Sequence, residues 1–555
     1  MKVENNIQLN SQKRNLKTNS KEPNFTGMLQ TALTFLDTNQ AWGANAVDFT
    51  CMVVPRTWTD FGRGSSAGWE TARRESMGTI NDSSVGAYGT AAGLALAMGI
   101  NKAYGLGKDG EIKASSIFAD SETVDMMGKH WDDSLKAANG DIDKALDEFI
   151  TKSLNQYEGI SPNEEGKWVR FSEESINKAK ELIKANIKKA GASIDKNNTY
   201  NAKNILVSSA GVENNYRIIS DVAGVEHTSR YALGDILENI TKLGKVFSKD
   251  KVVEAFKNSE KIDSNTFLKA LKSMNIKRSL AGVGIATAVG CSVQPINMYL
   301  TKKKTGSDNF VGGGKKDTST KFKIEKALVA AGFGAFVLSS IDSLKEIVKP
   351  KNLIKNLQFK GFTPTIKQLK FIYGATIISR FLAARNENEL KESSIKDFLG
   401  FANWLILGNF VQKLVAQSID KSLIKQEKSG GILNWIRTSS LKTRDEVLHA
   451  ALGNDAFENG KALSFNQMLK KAKGTKAARQ VKILTLAQVA GYVYSGLVLG
   501  IGIPKLNIYL TKRRMEKEAA KNPAPANTNE ELTQGKQNKE LPFQKRVSVN
   551  EYLNN

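Results

Sequence analysis

The sequence predicts a mostly α-helical protein: a soluble helical domain plus apolar helices expected to be transmembrane or membrane-embedded, with an internal duplication among them. Three observations predict it. The first is that Asn297-Met298-Tyr299-Leu300-Thr301-Lys302-Lys303-Lys304 returns as Asn507-Ile508-Tyr509-Leu510-Thr511-Lys512-Arg513-Arg514. Each copy follows an apolar, Gly-rich run with a proline near its end, Pro295 and Pro504. A helix leaving a bilayer sets Tyr at headgroup level and Lys or Arg in water beside anionic lipid. The second is the helical spacing of apolar residues between about Asp120 and Lys277. The third is the scarcity of strand signals.

The totals narrow the class. A chain of 555 residues is expected to hold two or more folding units. It carries 80 basic against 56 acidic residues, a net charge of +24, which favours an anionic partner. Lysines are spread along the chain and no nucleic-acid module motif is present, so anionic membrane lipid is the expected partner and nucleic acid is not. A protein partner and the oligomeric state are left open. The mean hydropathy of −0.34 agrees with few spans, two to four, 279–300 and 483–510 being the surest. Cys51 and Cys291 are the only cysteines, which rules out a disulfide framework. His130, His227 and His449 stand far apart, so no metal site and no cofactor are expected. The polar N-terminus lacks an apolar core, so no cleaved signal peptide is expected. The expected location is the inner (cytoplasmic) membrane, basic flanks on the cytoplasmic side.

Taken in order, residues 1–24 are expected to form a disordered basic tail, from low hydrophobicity without a period. Residues 25–110 form a Gly/Ala-rich helical block. Within it the apolar run 85–100 contains Gly89-x-x-x-Gly93, a spacing that lets two helix backbones approach closely. The run ends at Asn101-Lys102, near the lower length limit for a span, so a soluble helix pair stays open. Residues 111–277 form the soluble helical domain, with helices expected over 141–150 and 172–183. The second starts on an imperfect capping box, Ser175 standing where Glu is preferred after Ser172. Joints are expected at Asn197-Asn198 and Ala210-Gly211. Residues 278–515 form the apolar-helix region. In it the run 327–341 is short for a bilayer core roughly 30 Å thick, and the Lys-rich loop after it disfavours export. That run is therefore expected to be re-entrant, interfacial or buried. Residues 371–384 carry Arg380, and 398–415 include Trp404. Residues 516–555 are expected to form a second disordered tail, with 541–552 a docking motif or merely tail.

The duplication extends upstream. Ala255-Phe256-Lys257-Asn258 parallels Ala456-Phe457-Glu458-Asn459 at an offset of 201, against 210 at the Tyr-Leu-Thr-Lys signature, so one copy carries nine extra residues. Convergence on a common membrane-exit pattern is the other account of these matches.

The densest charged constellation is Asp48, Arg56, Asp60, Arg63, Glu70, Arg73, Arg74 and Glu75, interleaved with Trp58 and Trp69. Glu70, Arg73 and Arg74 share one helix face. Arg forks suit phosphate, and Trp suits the interface. A salt-bridged helix surface packed beside 85–100 is the plainer account. The candidate anion or headgroup contacts are Arg56, Arg63, Arg73, Arg74, Lys302, Lys303, Lys304, Lys512, Arg513 and Arg514. Gly312-Gly313-Gly314-Lys315 lacks phosphate-loop spacing and is expected to be a flexible loop. Glu226-His227 beside Asp221 has no nucleophile to serve. No catalytic residue is expected.

Asn24-Phe25-Thr26-Gly27, the block from Leu36 through Ala41-Trp42-Gly43-Ala44-Asn45-Ala46-Val47-Asp48, Pro55-Arg56-Thr57 and Glu70-Thr71-Ala72-Arg73-Arg74-Glu75 together resemble a group of uncharacterised bacterial proteins. These share an N-terminal N-x-F-x-G-like tag and a similar Gly/Ala-rich block. The resemblance covers about residues 24–105 and implies no activity and no site residues. The expected function is a membrane-anchored helical scaffold or interaction protein. The alternatives are a small-solute transporter or pore built on duplicated halves, with Arg380 its main intramembrane charge, and a soluble all-helical protein with apolar core helices.

Overall fold

The computed structural model describes Leu33 and residues 40–219, 230–307, 309–310, 315–407, 410–426, 431–432, 435–436 and 439–521. The 1–24 tail, Asn24–Gly27, Asp221, Glu226, His227, Gly312–Gly314 and the chain beyond Lys521 lie outside the described residues. Two units are distinguished, Met1–Asn507 and Ile508–Asn555; the described part of the second is the end of the last helix.

The first unit opens with α1 (Gln40–Val47), a π-helical stretch Asp48–Val53 and α2 (Val54–Phe61). A Gly62-Arg63-Gly64 turn follows, in which Gly64 adopts φ 127°, a conformation open to glycine. Next come α3 (Ser65–Ser83) and α4 (Val85–Tyr104), set at 48° to each other.

The helical domain then unfolds from side-chain caps. The Asp120, Asp141, Ser172 and Asp195 side chains accept the first free N–H groups of α5 (Ser121–Ala137), α6 (Ile142–Asn155), α7 (Glu173–Lys188) and α8 (Lys196–Ala210). Each such cap stabilises its helix by about 1 kcal/mol. The joint expected at Asn197-Asn198 is instead the first turn of α8, because Asp195 accepts from both amides. Gly211 does end that helix, at φ 67°. A short sheet, β1 (Tyr157–Ile160) between β2 (Trp168–Val169) and β3 (Tyr216–Ile218), is followed by α9 (Leu233–Phe247) and α10 (Asp250–Lys257). Trp131, Phe149 and Phe247 meet edge-on or tilted at 5.7–6.0 Å in a core that excludes water.

Helix α11 (Thr266–Thr305) begins in that core through Phe267, Leu268 and Leu271 and continues unbroken through the boundary expected at 277/278. Its 40 residues extend roughly 60 Å. Close approach is what Gly89 provides: an added Cβ on Gly282 of α11 would lie 3.1 Å from the Gly89 amide nitrogen. Helix α12 (Thr320–Ile341) is longer than the 15-residue apolar run expected at 327–341. The flanking residues 320–326 join the helix, giving 22 residues, long and apolar enough to cross a membrane.

Short helices α13 (Leu344–Ile347) and α14 (Pro350–Asn356) lead to α15 (Ile366–Ala383), which starts on a Thr365–Gln368 capping box. After it come α16 (Glu387–Phe401), a π-helical stretch Ala402–Leu407 and α17 (Phe410–Ile419), bent by 47°. A small domain follows, comprising β4 (Ile424–Gln426), β5 (Ser439–Leu441), α18 (Arg444–Leu452), β6 (Phe457–Glu458), β7 (Lys461–Ala462) and α19 (Phe465–Lys471). The last described elements are α20 (Lys476–Tyr494), the π-helical stretch Ser495–Gly502 and α21 (Ile503–Lys521). The matched tetrapeptides differ in conformation, since Phe256 is helical and Phe457 lies in a hairpin.

Three helices are long and apolar enough to cross a membrane, or up to five if each bent pair counts as one. Met98, Leu328, Leu486 and Leu497 on these helices are exposed, as is Trp58 on α2. Between Met98 and Leu280 no described large apolar side chain is exposed.

Candidate functional site

The polar chemistry lies where apolar helices face one another. Arg56 is 1% exposed and pairs with Glu75 at 3.5 Å, while its Nε donates to the Leu499 carbonyl. Glu75 also meets Arg74 at 3.0 Å, Lys396 at 3.2 Å and Arg380 at 3.8 Å. Arg380 pairs with Asp397 at 3.3 Å. Water is a poor competitor here, so each charge depends on its partners.

Two sets of contacts mirror each other across this seam. Arg63 reaches Glu392 through two hydrogen bonds of 3.0 Å, and Arg385 reaches Glu70 at 2.8 Å. Arg56 pairs with Glu75, and Arg380 with Asp397. The Asn297 amide donates to the Glu70 carbonyl and the Asn507 amide to the Glu392 carbonyl, both at 2.9 Å. An added Cβ on Gly290 would collide with Thr376, and one on Gly500 with the Cys51 carbonyl.

The sequence signal for this was present and overlooked. Arg63, Glu70, Arg74, Glu75, Gly78 and Asn81 stand 322 positions before Arg385, Glu392, Lys396, Asp397, Gly400 and Asn403. The Asn297 and Asn507 pair, already noted, is 210 apart, as is Gly290 and Gly500. One difference is instructive. Arg73 donates to Asn297 Oδ1 at 2.9 Å and to Thr301 at 3.1 Å, whereas Ile395 stands at the matching position and Asn507 Oδ1 has no partner.

The candidate contacts from the sequence thus divide. Arg56, Arg63, Arg73 and Arg74 turn inward onto protein partners. Lys302, Lys303 and Lys304 are exposed at the end of α11, and Lys512 and Arg513 are exposed on α21, with Arg514 half-buried. Arg380 is one of several charges buried where the apolar helices meet, with Arg56, Glu75, Arg385 and Asp397. Cys51 and Cys291 are unpaired thiols, and no metal-holding group of His, Cys, Asp and Glu exists among the described residues.

A small cavity of about 40 Å³ opens on the seam beside Arg63, Glu70, Arg74, Glu392 and Lys396, with Phe310 on its wall. At the helical-domain face a larger cleft of about 880 Å³ is lined by Lys203, Tyr231, Asp235, Lys360 and Lys367. Burial lowers the Lys360 ammonium to about 8 and raises the Asp235 carboxyl to about 6.

The small domain clasps the larger one on this face. Lys203 bridges Glu213 at 2.7 Å and Asp445 at 3.2 Å, and the Glu213 amide donates to the Glu446 carboxylate at 2.7 Å. The His449 ring meets Ser208 at 2.7 Å and Asn204 at 3.0 Å, and burial holds its pKa down at about 4.

No family model, no curated protein and no solved structure matches this chain.

Proposed function

We propose that this chain is an integral membrane protein whose two like-built halves pass a small polar solute or ion along the seam between them. The carrying observation is the inversion of polarity: apolar side chains face outward, while Arg56, Glu75, Arg380 and Asp397 are buried at the centre. Charges inside a membrane are costly, and they are found where they face a bundle interior or a pathway. The halves, about 40–305 and 366–507, are copies of one ancestral unit. The recurring spacings, mirrored ion pairs and bends of 48° and 47° support this. Their inserted domains leave on one face and clasp there, so the halves run parallel, related by an axis along the membrane normal. The nine extra residues of the second copy lie between Asn459 and the start of α20 at Lys476, 17 positions where the first copy has 8 between Asn258 and the start of α11 at Thr266.

The test starts with carbonate and high-salt washes of membranes containing the expressed protein, where retention is expected. Purified protein in vesicles should then release a panel of small ions and solutes faster than empty vesicles, and Arg380→Ala should abolish the difference. Recovery in the soluble fraction would sink the membrane reading; retention without flux would sink the transport reading alone.

A second reading, a membrane-anchored scaffold with basic ends on anionic lipid, is favoured by the exposed Lys302–Lys304 cluster. Changing all three to Ala should then weaken association with phosphatidylserine vesicles, measured by flotation.

A further inference from the structure

We propose that the species carried along the seam is the proton, moved on water and the carboxylates of Asp48 and Asp82, and that an apolar plug gates the path. This rests on the transport reading above. The cavity at the seam is too small for an organic solute: its 40 Å³ holds about two or three waters.

Beyond it the buried polar groups continue inward. Thr79 donates its hydroxyl to Asp48, which lies within electrostatic reach of Glu75, Arg56, Arg380 and Tyr373. Asp82 lies within electrostatic reach of Asp48 and Arg380. Along the route Glu70 Oε2, Arg56 Nη2, Asp397 Oδ2, Arg380 Nε, Asp82 Oδ2 and Asn81 Oδ1 are buried with no hydrogen-bond partner. All six side chains belong to residues 2–4% exposed or less. Buried polar atoms are satisfied by protein or by water, and a row of orphans beside a water-sized cavity points to water. Asp48 also sits in a π-helical stretch, a geometry that frees backbone from the regular ladder at functional sites.

One helical turn past Asp82 the character changes. Val85, Val283, Ala286, Phe359 and Ile372 pack into one buried apolar cluster. Next to Phe359, Lys360 already lines the large cleft at the helical-domain face. Polar groups thus approach from one side and open space from the other, with an apolar constriction between them. Such constrictions close by excluding water. A proton taken from water at the Arg63 end would pass through water to Asp48 and Asp82, with Glu75 a fixed negative charge among its cations, and leave to water in the cleft, its charge balanced by a counter-ion crossing elsewhere.

The full-length protein is reconstituted in vesicles holding a pH-sensitive dye, with valinomycin and potassium carrying the compensating charge. The expected result is proton flux above empty vesicles, lost in Asp82→Asn and Asp48→Asn, and raised in Val283→Asn, which wets the plug. Flux seen only in Val283→Asn, and lost when Asp82→Asn is added, supports the same path in a closed state. No proton flux in either the native chain or Val283→Asn overturns the proposal, as does flux that survives Asp82→Asn and Asp48→Asn unchanged. Equal passage of sodium or chloride in separate gradients also overturns it. Carbonate resistance of every variant is measured alongside. Loss of that resistance in the native chain would instead remove the transport reading on which the proposal rests.

Discussion

The helical domain and the apolar bundle solve opposite solvation problems with the same secondary structure. In the domain Trp131, Phe149 and Phe247 are buried, and ion pairs such as Lys178–Glu174 stand in water. In the bundle Leu328 and Trp58 are outside, 68% and 81% exposed, and Arg56, Arg380 and Asp397 are inside. The difference teaches what each charge is worth. An exposed pair is screened and contributes little, whereas a buried one cannot lose a partner without stranding the other.

The sharpest way to break this comparison is to strip one cation from the seam. Arg380→Leu leaves Asp397 unbalanced and Glu75 with one cation fewer, and should cost about 3–5 kcal/mol in detergent-solubilised protein, read by thermal unfolding. If it costs less than the removal of an exposed pair, the seam is wetter than its burial implies. Next in size, Leu328→Lys on the outer face of α12 should reduce membrane insertion by about 3 kcal/mol. Lys180→Leu on the domain should change stability by no more than about 0.5 kcal/mol.

The domain clasp gives a pH-dependent effect of intermediate size. The folded pKa of His449 is about 4, below its ordinary 6.5, because burial disfavours the charged ring. Its neutral form therefore stabilises the clasp above pH 6.5, and that contribution is lost as pH falls towards 4. Between pH 7 and 4.5 the native chain should lose about 2 kcal/mol more than His449→Gln, followed by hydrogen exchange at Ser208 and Asn204. The smallest effect belongs to the exposed Lys178–Glu174 pair, whose coupling in a double-mutant cycle should be the weakest of these and should fall further as salt is added.

The helical class, the cap at Ser172 and the apolar run at 483–510 are legible because each depends on residues within a turn or two of one another. The Arg56–Glu75 stretch is legible as a charged constellation with two accounts, a headgroup site, since Trp58 and Trp69 beside it suit an interface, or a salt-bridged helix surface packed beside 85–100. Those tryptophans do face outward, at 81% and 51% exposure, while the arginines on the same helices turn in. The Arg63–Glu392 and Arg385–Glu70 pairs were hidden because their members are more than 300 residues apart, and only the spacing of six matched residues hinted at them.

By itself the sequence determined where helices begin, which runs are apolar, and that Asn-x-Tyr-Leu-Thr-Lys occurs twice, since propensity, capping and hydropathy act locally. Tertiary structure alone decided that Arg380 meets Glu75 and Asp397, that α12 draws residues 320–326 into one long helix, and that the inserted domains clasp through Lys203 and His449. The reason is that a charge becomes a buried partner or a surface group according to which distant helix shields it from water, and no local pattern carries that distance.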